Sequence, residues 1–218
     1  MFRTKHTQLA LIALTLGLLT SAVTGCGDEE SSEPQAKLVF AHNVGTLGKA
    51  EILINDEVVT TVMSGELSNE VSSPLGATDV AIRGEGAPMS TASDTITLAE
   101  QTYLVAFGDS SVFTVDQVPP EAEAGKHNIE VVNIRSDDLG LNVFAGQEQI
   151  ATTPAAKTVT AFSSVDAAND VLISVTIASS GAPAGVQETL NLADGGATMV
   201  ILGGSSADDI TLNVLTVK

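Results

Sequence analysis

Cysteine, aromatic residues and positive charge are all scarce in this sequence of 218 residues. It contains one Cys, one Tyr and no Trp, and 27 Asp and Glu oppose 9 Lys and Arg, for a formal net charge of −18. A single Cys excludes an internal disulfide, a Cys-based zinc site and an iron–sulfur cluster. The negative charge disfavours nucleic acid and anionic membrane surfaces as partners, and the shortage of aromatic rings removes the usual stacking platforms for bases and sugars.

The first 25 residues have the pattern of a bacterial lipoprotein signal peptide. Arg3 and Lys5 give a positive start, and the apolar run Leu9–Leu19 is too short to span a bilayer but has the length of a signal-peptide core. The residues Val23-Thr24-Gly25 before Cys26 resemble the lipobox, in which small residues precede a Cys that is acylated and becomes the new N-terminus. We therefore predict lipid attachment at Cys26; the alternative is an ordinary secretory signal with an incidental Cys.

Lipid attachment at Cys26 predicts a location as well as a modification. Several acyl chains would hold the protein on a membrane stably, whereas one chain alone is marginal. Gly27 follows the Cys, and in the enterobacterial sorting scheme the absence of Asp there favours the outer membrane if the host is Gram-negative. Residues 1–25 contain two cations and no acid, so their removal takes the net charge from −18 to −20. The predicted partners are the membrane, through the acyl chains, and other envelope proteins.

The rest of the chain consists of two copies of one sequence repeat. At an offset of 91, residues 50–61 align with 141–152, and residues 78–82 align with 169–173. The matches are mostly of apolar class and turn position, which indicates two small domains of one fold. The predicted organisation is a signal peptide, an acidic tether, domain 1, a Pro-containing linker and domain 2, at residues 1–25, 26–36, 37–118, 119–127 and 128–218.

Each unit has the pattern of β-strands. Asn55-Asp56 separates two apolar strands as a hairpin turn does, and Gly146-Gln147 occupies that turn in the second copy. The runs at 102–107 and 197–202 are almost continuously apolar, as central strands would be. No stretch after residue 25 shows sustained helical periodicity. We predict an all-β protein with two tandem antiparallel β-sandwiches of immunoglobulin-like or prealbumin-like type, with about seven strands each.

Three segments of the first copy resemble a known domain family. They are LVFAHNVG at 38–45, AEILINDEVV at 50–59 and LAEQTYLVAFG at 98–108. They are similar to a bacterial extracytoplasmic domain known only as domain of unknown function 4397. The resemblance implies a sandwich fold in secreted or surface proteins, often in tandem, and it implies no catalytic residues.

Individual residues carry this resemblance. His42, Tyr103 and Gly108 occupy the positions at which the family has a His after its first strand, a Tyr that begins its last strand and a Gly that ends it. The second copy keeps the layout but has Asn133 in place of the His and Thr198 in place of the Tyr.

One motif suggests an esterase. Gly108-Asp109-Ser110 follows an apolar strand, as the nucleophilic Ser does in one class of lipid esterases. Such a Ser needs a His base that is held by an Asp, and that class places both near the C-terminus of an α/β fold. The last His here is His127, assigned to the linker, and no crossover helices are predicted. Because the second copy has Gly-Gly-Ser-Ser at 203–206, a turn explains both copies, and we predict no catalytic residue.

Two further patterns suggest metal binding without fixing a site. His42 is the only His in a predicted strand, but a hydrogen bond to the turn that follows explains it as well, and Asn133 can make the same bond. The acidic pairs Asp56-Glu57, Asp137-Asp138 and Asp208-Asp209 suit calcium, but no D-x-D-x-D-G spacing occurs. We predict no metal site and no cofactor.

The combined prediction is a non-enzymatic, lipid-anchored cell-envelope protein whose two sandwiches act as a binding or structural module. The alternative is a lipoprotein that binds a small molecule, a glycan or calcium. A more remote alternative is the Gly-Asp-Ser type of esterase.

Overall fold

A computed structural model describes residues 33–108, 111–116, 119–153 and 157–217. These residues form strands, turns and irregular segments. Within them, no helix is long and apolar enough to cross a membrane. Cys26 and the predicted signal peptide lie outside the described residues, as do Asp109 and Ser110.

The described strands fall into two successive groups that repeat the same order. The first group comprises β1 (Gln35–His42), β2 (Lys49–Ile54), β3 (Glu57–Met63), β4 (Val71–Pro74), β5 (Gly76–Gly84), β6 (Ala92–Leu98), β7 (Thr102–Gly108) and β8 (Ser111–Asp116). The second comprises β9 (Lys126–Asn133), β10 (Leu141–Ala145), β11 (Glu148–Thr153), β12 (Thr158–Val159), β13 (Ser163–Asp166), β14 (Ala168–Ile177), β15 (Pro183–Leu192), β16 (Ala197–Gly203) and β17 (Thr211–Val217).

Each group forms one sandwich of two sheets. In the first sandwich, the outer sheet has the order β3-β2-β5-β6 and the inner sheet has the order β4-β1-β7-β8. In the second, the outer sheet has the order β11-β10-β14-β15, and the inner sheet has the order β12-β9-β16-β17 with β13 also paired to β9. The prediction of an all-β fold with two tandem sandwiches is confirmed.

The structure differs from the sequence prediction in pairing and in boundaries. Each inner sheet contains one parallel pair, β1 with β7 and β9 with β16, so the sandwiches are not purely antiparallel. A parallel pair needs a long crossover connection, and the excursion through the outer sheet supplies it. β1 begins at Gln35 and β9 at Lys126, so the ends of the predicted tether and linker belong to strands. The first residues of β1 and β9 are 91 positions apart, which is the offset of the sequence repeat.

The hairpin between β2 and β3 shows how local sequence produces the repeat. Asn55 and Asp56 have positive φ values of 50° and 68°. Two successive positive φ values define the tight turn whose twist suits antiparallel strands, and Asn and Asp tolerate them well. Gly146, with φ of 60°, occupies the same turn in the second sandwich. Gln147 has no positive φ, so Gly-Gln forms a different type of two-residue turn from Asn-Asp at the same place in the hairpin.

Three apolar cores order the sheets as four layers. The first core joins the outer and inner sheets of the first sandwich, and the second core does the same in the second sandwich. The third, which we call the junction core, joins the two inner sheets; its buried members are Val39, Ala41, Leu104, Ala106, Val115, Val132, Ile134, Ala197, Met199, Ile201 and Val217. The inner sheets are therefore buried on both faces, which explains their almost continuous apolar runs. Residues 33–218 cluster as one compact unit.

Candidate functional site

The side chain of His42 is fixed at the end of β1. It is fully buried, and its Nε2 lies 3.0 Å from the Val62 carbonyl oxygen while the Val44 N–H donates to Nδ1 over 3.4 Å. Those contacts match a neutral ring with the proton on Nε2. Burial lowers the pKa of His42, although the bond to the Val62 carbonyl opposes this. The Arg135 N–H donates to Asn133 Oδ1 at the matched place, so Asn133 makes the bond to the following turn that the sequence predicted.

Polar contacts at the edge of the junction core tie the two sandwiches together. Asn43 donates from Nδ2 to the Gly204 carbonyl over 2.6 Å, and the Gly204 N–H donates to Asn43 Oδ1 over 2.8 Å. Asn213 of β17 donates to the carbonyl of Gly65, which lies just after β3. These bonds join residues of different sandwiches, so they fix how one inner sheet lies against the other. We use "junction" for the junction core together with these contacts.

Arg135 is a fully buried cation beside the same edge. Its Nε and Nη2 donate to the two carboxylate oxygens of Asp137 over 2.8 and 2.6 Å. Nη1 and Nη2 also donate to the carbonyls of Gly203 and Ser206 over 3.3 and 2.9 Å. A buried guanidinium needs an opposite charge and acceptors for its fork of donors. Here the guanidinium of Arg135 holds the turn at 203–206, which contains the Gly204 backbone groups that bond with Asn43.

Glu130 is a buried carboxylate. Ile129 and Val131 face the second core and Val132 faces the junction core, so strand alternation places the Glu130 side chain on the junction side of β9. Oε2 has no hydrogen-bond partner. Burial raises the pKa of Glu130 to about 7. Val39 occupies the matched position in the first sandwich, so the second copy alone has a carboxyl there.

His127 lies in strand β9, although the sequence placed it in the linker. It is buried, with Nδ1 2.8 Å from the Ala193 carbonyl oxygen and Nε2 2.9 Å from Thr198 Oγ1. Both ring nitrogens therefore contact the protein's own groups. Thr198 is the residue that stands in the second copy where the first has Tyr103, whose hydroxyl accepts the Ala99 N–H over 2.8 Å.

The acidic pairs lie at separate turns. Asp56 occupies the β2–β3 hairpin, and Asp137 binds Arg135. Partial burial favours the neutral form of Asp209, but bonds from Ser205 and Ser206 outweigh it and lower the pKa to about 2. Within the described residues, no group of three or more His, Cys, Asp or Glu is placed to hold a metal ion.

An open concavity of about 420 Å³ lies on the outer sheet of the first sandwich. Asp56, Asp79 and Asp94 contribute to its lining, together with short polar side chains. Asp79 already accepts a hydrogen bond from the Thr95 hydroxyl over 2.5 Å. The lining of the concavity is thus mostly polar and acidic, and Val80 and Ala81 are its apolar members.

Sequence reasoning missed the junction, although a signal for it was present. In β1, Leu38 and Phe40 face the first core while Val39 and Ala41 face the junction core. A strand with apolar residues on both faces is covered on both faces. The runs were predicted to be central strands, but the two halves were not predicted to cover each other. The bonds from Asn43 and Arg135 to the turn at 203–206 had no sequence signal, because those acceptors are backbone carbonyls far along the chain.

Comparison with solved structures gives weak likenesses, among them one to a protein from Bacillus anthracis and one to a protein from Bacteroides ovatus. No family model matches the chain, and no curated protein matches it. The Bacillus anthracis TIE protein is 7% identical with a TM-score of 0.25, over 78% of this chain and 34% of that protein. A proposed cell adhesion protein from Bacteroides ovatus is 11% identical with a TM-score of 0.24, over 86% and 97%. The chain spans about a third of the TIE protein. At these TM-scores neither likeness carries an argument about function.

Proposed function

We propose that the protein is a non-enzymatic binding or structural module of the cell envelope, lipid-anchored through Cys26, with two sandwiches of the 4397 type. One observation carries the proposal. Three described groups that could do chemistry, His42, His127 and Arg135, instead bind the protein's own carbonyl, hydroxyl and carboxylate groups. They stabilise strands and turns, which leaves the outward faces of the outer sheets for contacts with partners.

The charge of those surfaces supports a particular kind of partner. Five of the described cations are paired with carboxylates: Lys37 with Glu70, Lys49 with Glu85, Arg83 with Glu51, Lys126 with Asp166 and Arg135 with Asp137. The excess of acidic residues is therefore left largely uncompensated. Such a surface attracts cationic partners and repels anionic ones.

Crosslinking in intact cells tests the binding role. A carboxyl-reactive crosslinker suits a chain with 27 acidic residues. We expect mass spectrometry to find the same few envelope proteins linked repeatedly to residues of the outer sheets. Crosslinks that occur only within the chain, at crosslinker doses that capture known envelope complexes, would contradict a binding role and leave only the structural one.

Lipid attachment has a direct test of its own. Cys26→Ser should abolish acylation, because the thiolate of the only Cys is the group to be modified. The variant should therefore leave the membrane fraction or remain as the precursor. Mass spectrometry of the wild-type N-terminus measures this, and a wild-type chain that carries no lipid would refute the anchor.

The absence of esterase activity is also testable. Ser110 lies outside the described residues, and a Ser without a base is a weak nucleophile. Both nitrogens of His42 and of His127 contact protein groups. We expect purified protein to hydrolyse esters no faster than background. Fluorophosphonate labelling that disappears in Ser110→Ala would establish the hydrolase instead.

A further inference from the structure

The junction contains a group that the packing of two apolar sheets does not need. The Glu130 carboxyl lies on the junction side of β9, it is 7% exposed, and its Oε2 has no partner. Beside it in the parallel pair is Met199, a member of the junction core. A buried carboxylate without a compensating charge is costly, whereas the protonated carboxyl is far cheaper to bury.

The charged groups on the surrounding elements are occupied elsewhere. On β1, Lys37 shares the face of Val39 but pairs with Glu70 over 2.8 Å. On β9 and β13, Lys126 pairs with Asp166 over 2.8 Å. The residues that β7 and β16 contribute to the junction core carry no titratable group: they are Leu104, Ala106, Ala197, Met199 and Ile201. Glu121 and Glu123, in the segment before β9, are exposed and of the same sign as Glu130. Lys157, just before β12, is exposed, and burial is the one cause that raises the pKa of Glu130, so no described cation offsets it.

We propose that Glu130 makes the junction a pH-sensitive contact, which is closed while the carboxyl is protonated and loosens between the two sandwiches when it ionises. The direction of the pH effect follows from the difference between the pKa of Glu130 in the closed junction and its ordinary pKa. The closed junction raises the pKa of Glu130 from 4.5 to about 7. The closed form is therefore favoured most below pH 4.5, loses this advantage as the pH rises, and gains no further penalty above about pH 7.

Thiol labelling measures this opening. The full chain carrying Cys26→Ser has no Cys, so Val39→Cys places a single reporter thiol in the junction core. Val131→Cys is the matched control, because the same residue type is replaced in the core of the second sandwich. After correction for the thiolate fraction with a free cysteine peptide, we expect Val39→Cys to label roughly 50-fold faster at pH 8 than at pH 5. Val131→Cys should change little.

Glu130→Gln tests whether the Glu130 carboxyl causes the pH dependence of labelling. It keeps the size of the side chain and removes its titration, so the pH dependence at Val39→Cys should fall to within about twofold. If the acceleration survives in Glu130→Gln, or if Val131→Cys accelerates equally, the proposal is wrong. Met199→Cys, on the facing inner sheet, repeats the measurement if Val39→Cys does not fold. A labelling rate that does not change with pH at either Val39→Cys or Met199→Cys would also overturn the proposal.

Discussion

Replacing Gly204 with alanine is expected to lower the free energy of unfolding by about 3–5 kcal/mol. Gly204 has a φ of 111°, where residues with a side chain are strained. A Cβ there would lie 2.3 Å from the carbonyl oxygen of Asp209 and 3.1 Å from Nη1 of Arg135. The turn must shift to accept it, and a shift breaks the reciprocal bonds to Asn43. Urea unfolding monitored by circular dichroism measures the loss.

Gly76→Ala is the matched control for that experiment. Gly76 has a similar φ of 100°, but a Cβ there would meet nothing within 4 Å. Gly76→Ala should lower the free energy of unfolding only by the backbone strain, about 1–2 kcal/mol. The difference between the two variants isolates crowding at the junction. Equal losses would show that crowding of the added Cβ against Asp209 and Arg135, and the bonds between Gly204 and Asn43, contribute nothing to stability.

Asp137→Asn is expected to cost about 3 kcal/mol, because it leaves a buried guanidinium without its counter-charge. Arg135 is fully buried, while its partner Asp137 retains 26% of its side-chain exposure. Water can therefore reach the carboxylate side of the pair, which places the loss at the lower end for a broken buried pair. Unfolding in urea at pH 7 and fixed ionic strength measures it.

The neighbouring Asp138 provides a control of identical chemistry. Asp138 is exposed, so Asp138→Asn removes the same charge from the chain and should change stability by less than about 0.5 kcal/mol. If the two variants unfold at the same urea concentration, the bidentate bond between Asp137 and Arg135 does not stabilise the turn at 203–206.

The sequence predicted the repeated sandwich because strands and turns leave local patterns. Asn55-Asp56 and Gly146-Gln147 are turn residues at matched places, and the structure has positive φ at Asn55, Asp56 and Gly146. The parallel pairing of β1 with β7 was missed, because pairing between strands about 65 residues apart has no local pattern. The same holds for the boundary at Lys126: a Pro-containing acidic segment predicts a linker but not the residue at which a strand begins.

Of the candidate site, the sequence predicted only the hydrogen bonds that a residue makes with the turn next to it. His42 and Asn133 bond the turns that follow their strands, which position and residue type suggested. Glu130 and Arg135 depend on which sheet covers β9, and that is a property of tertiary packing. In sequence, Glu130 is a single acid in an apolar strand. Only its burial against the first sandwich gives it a raised pKa.

The two sandwiches share the junction core, and we expect them to form one rigid body when Glu130 is protonated. Residual dipolar couplings of backbone amides at pH 5 test this most directly, because they report the orientation of each half in a common frame. We predict that one alignment tensor fits the couplings of β1–β8 and β9–β17 together, with the sandwich orientation described above. Two tensors of different magnitude for the two halves would contradict the claim.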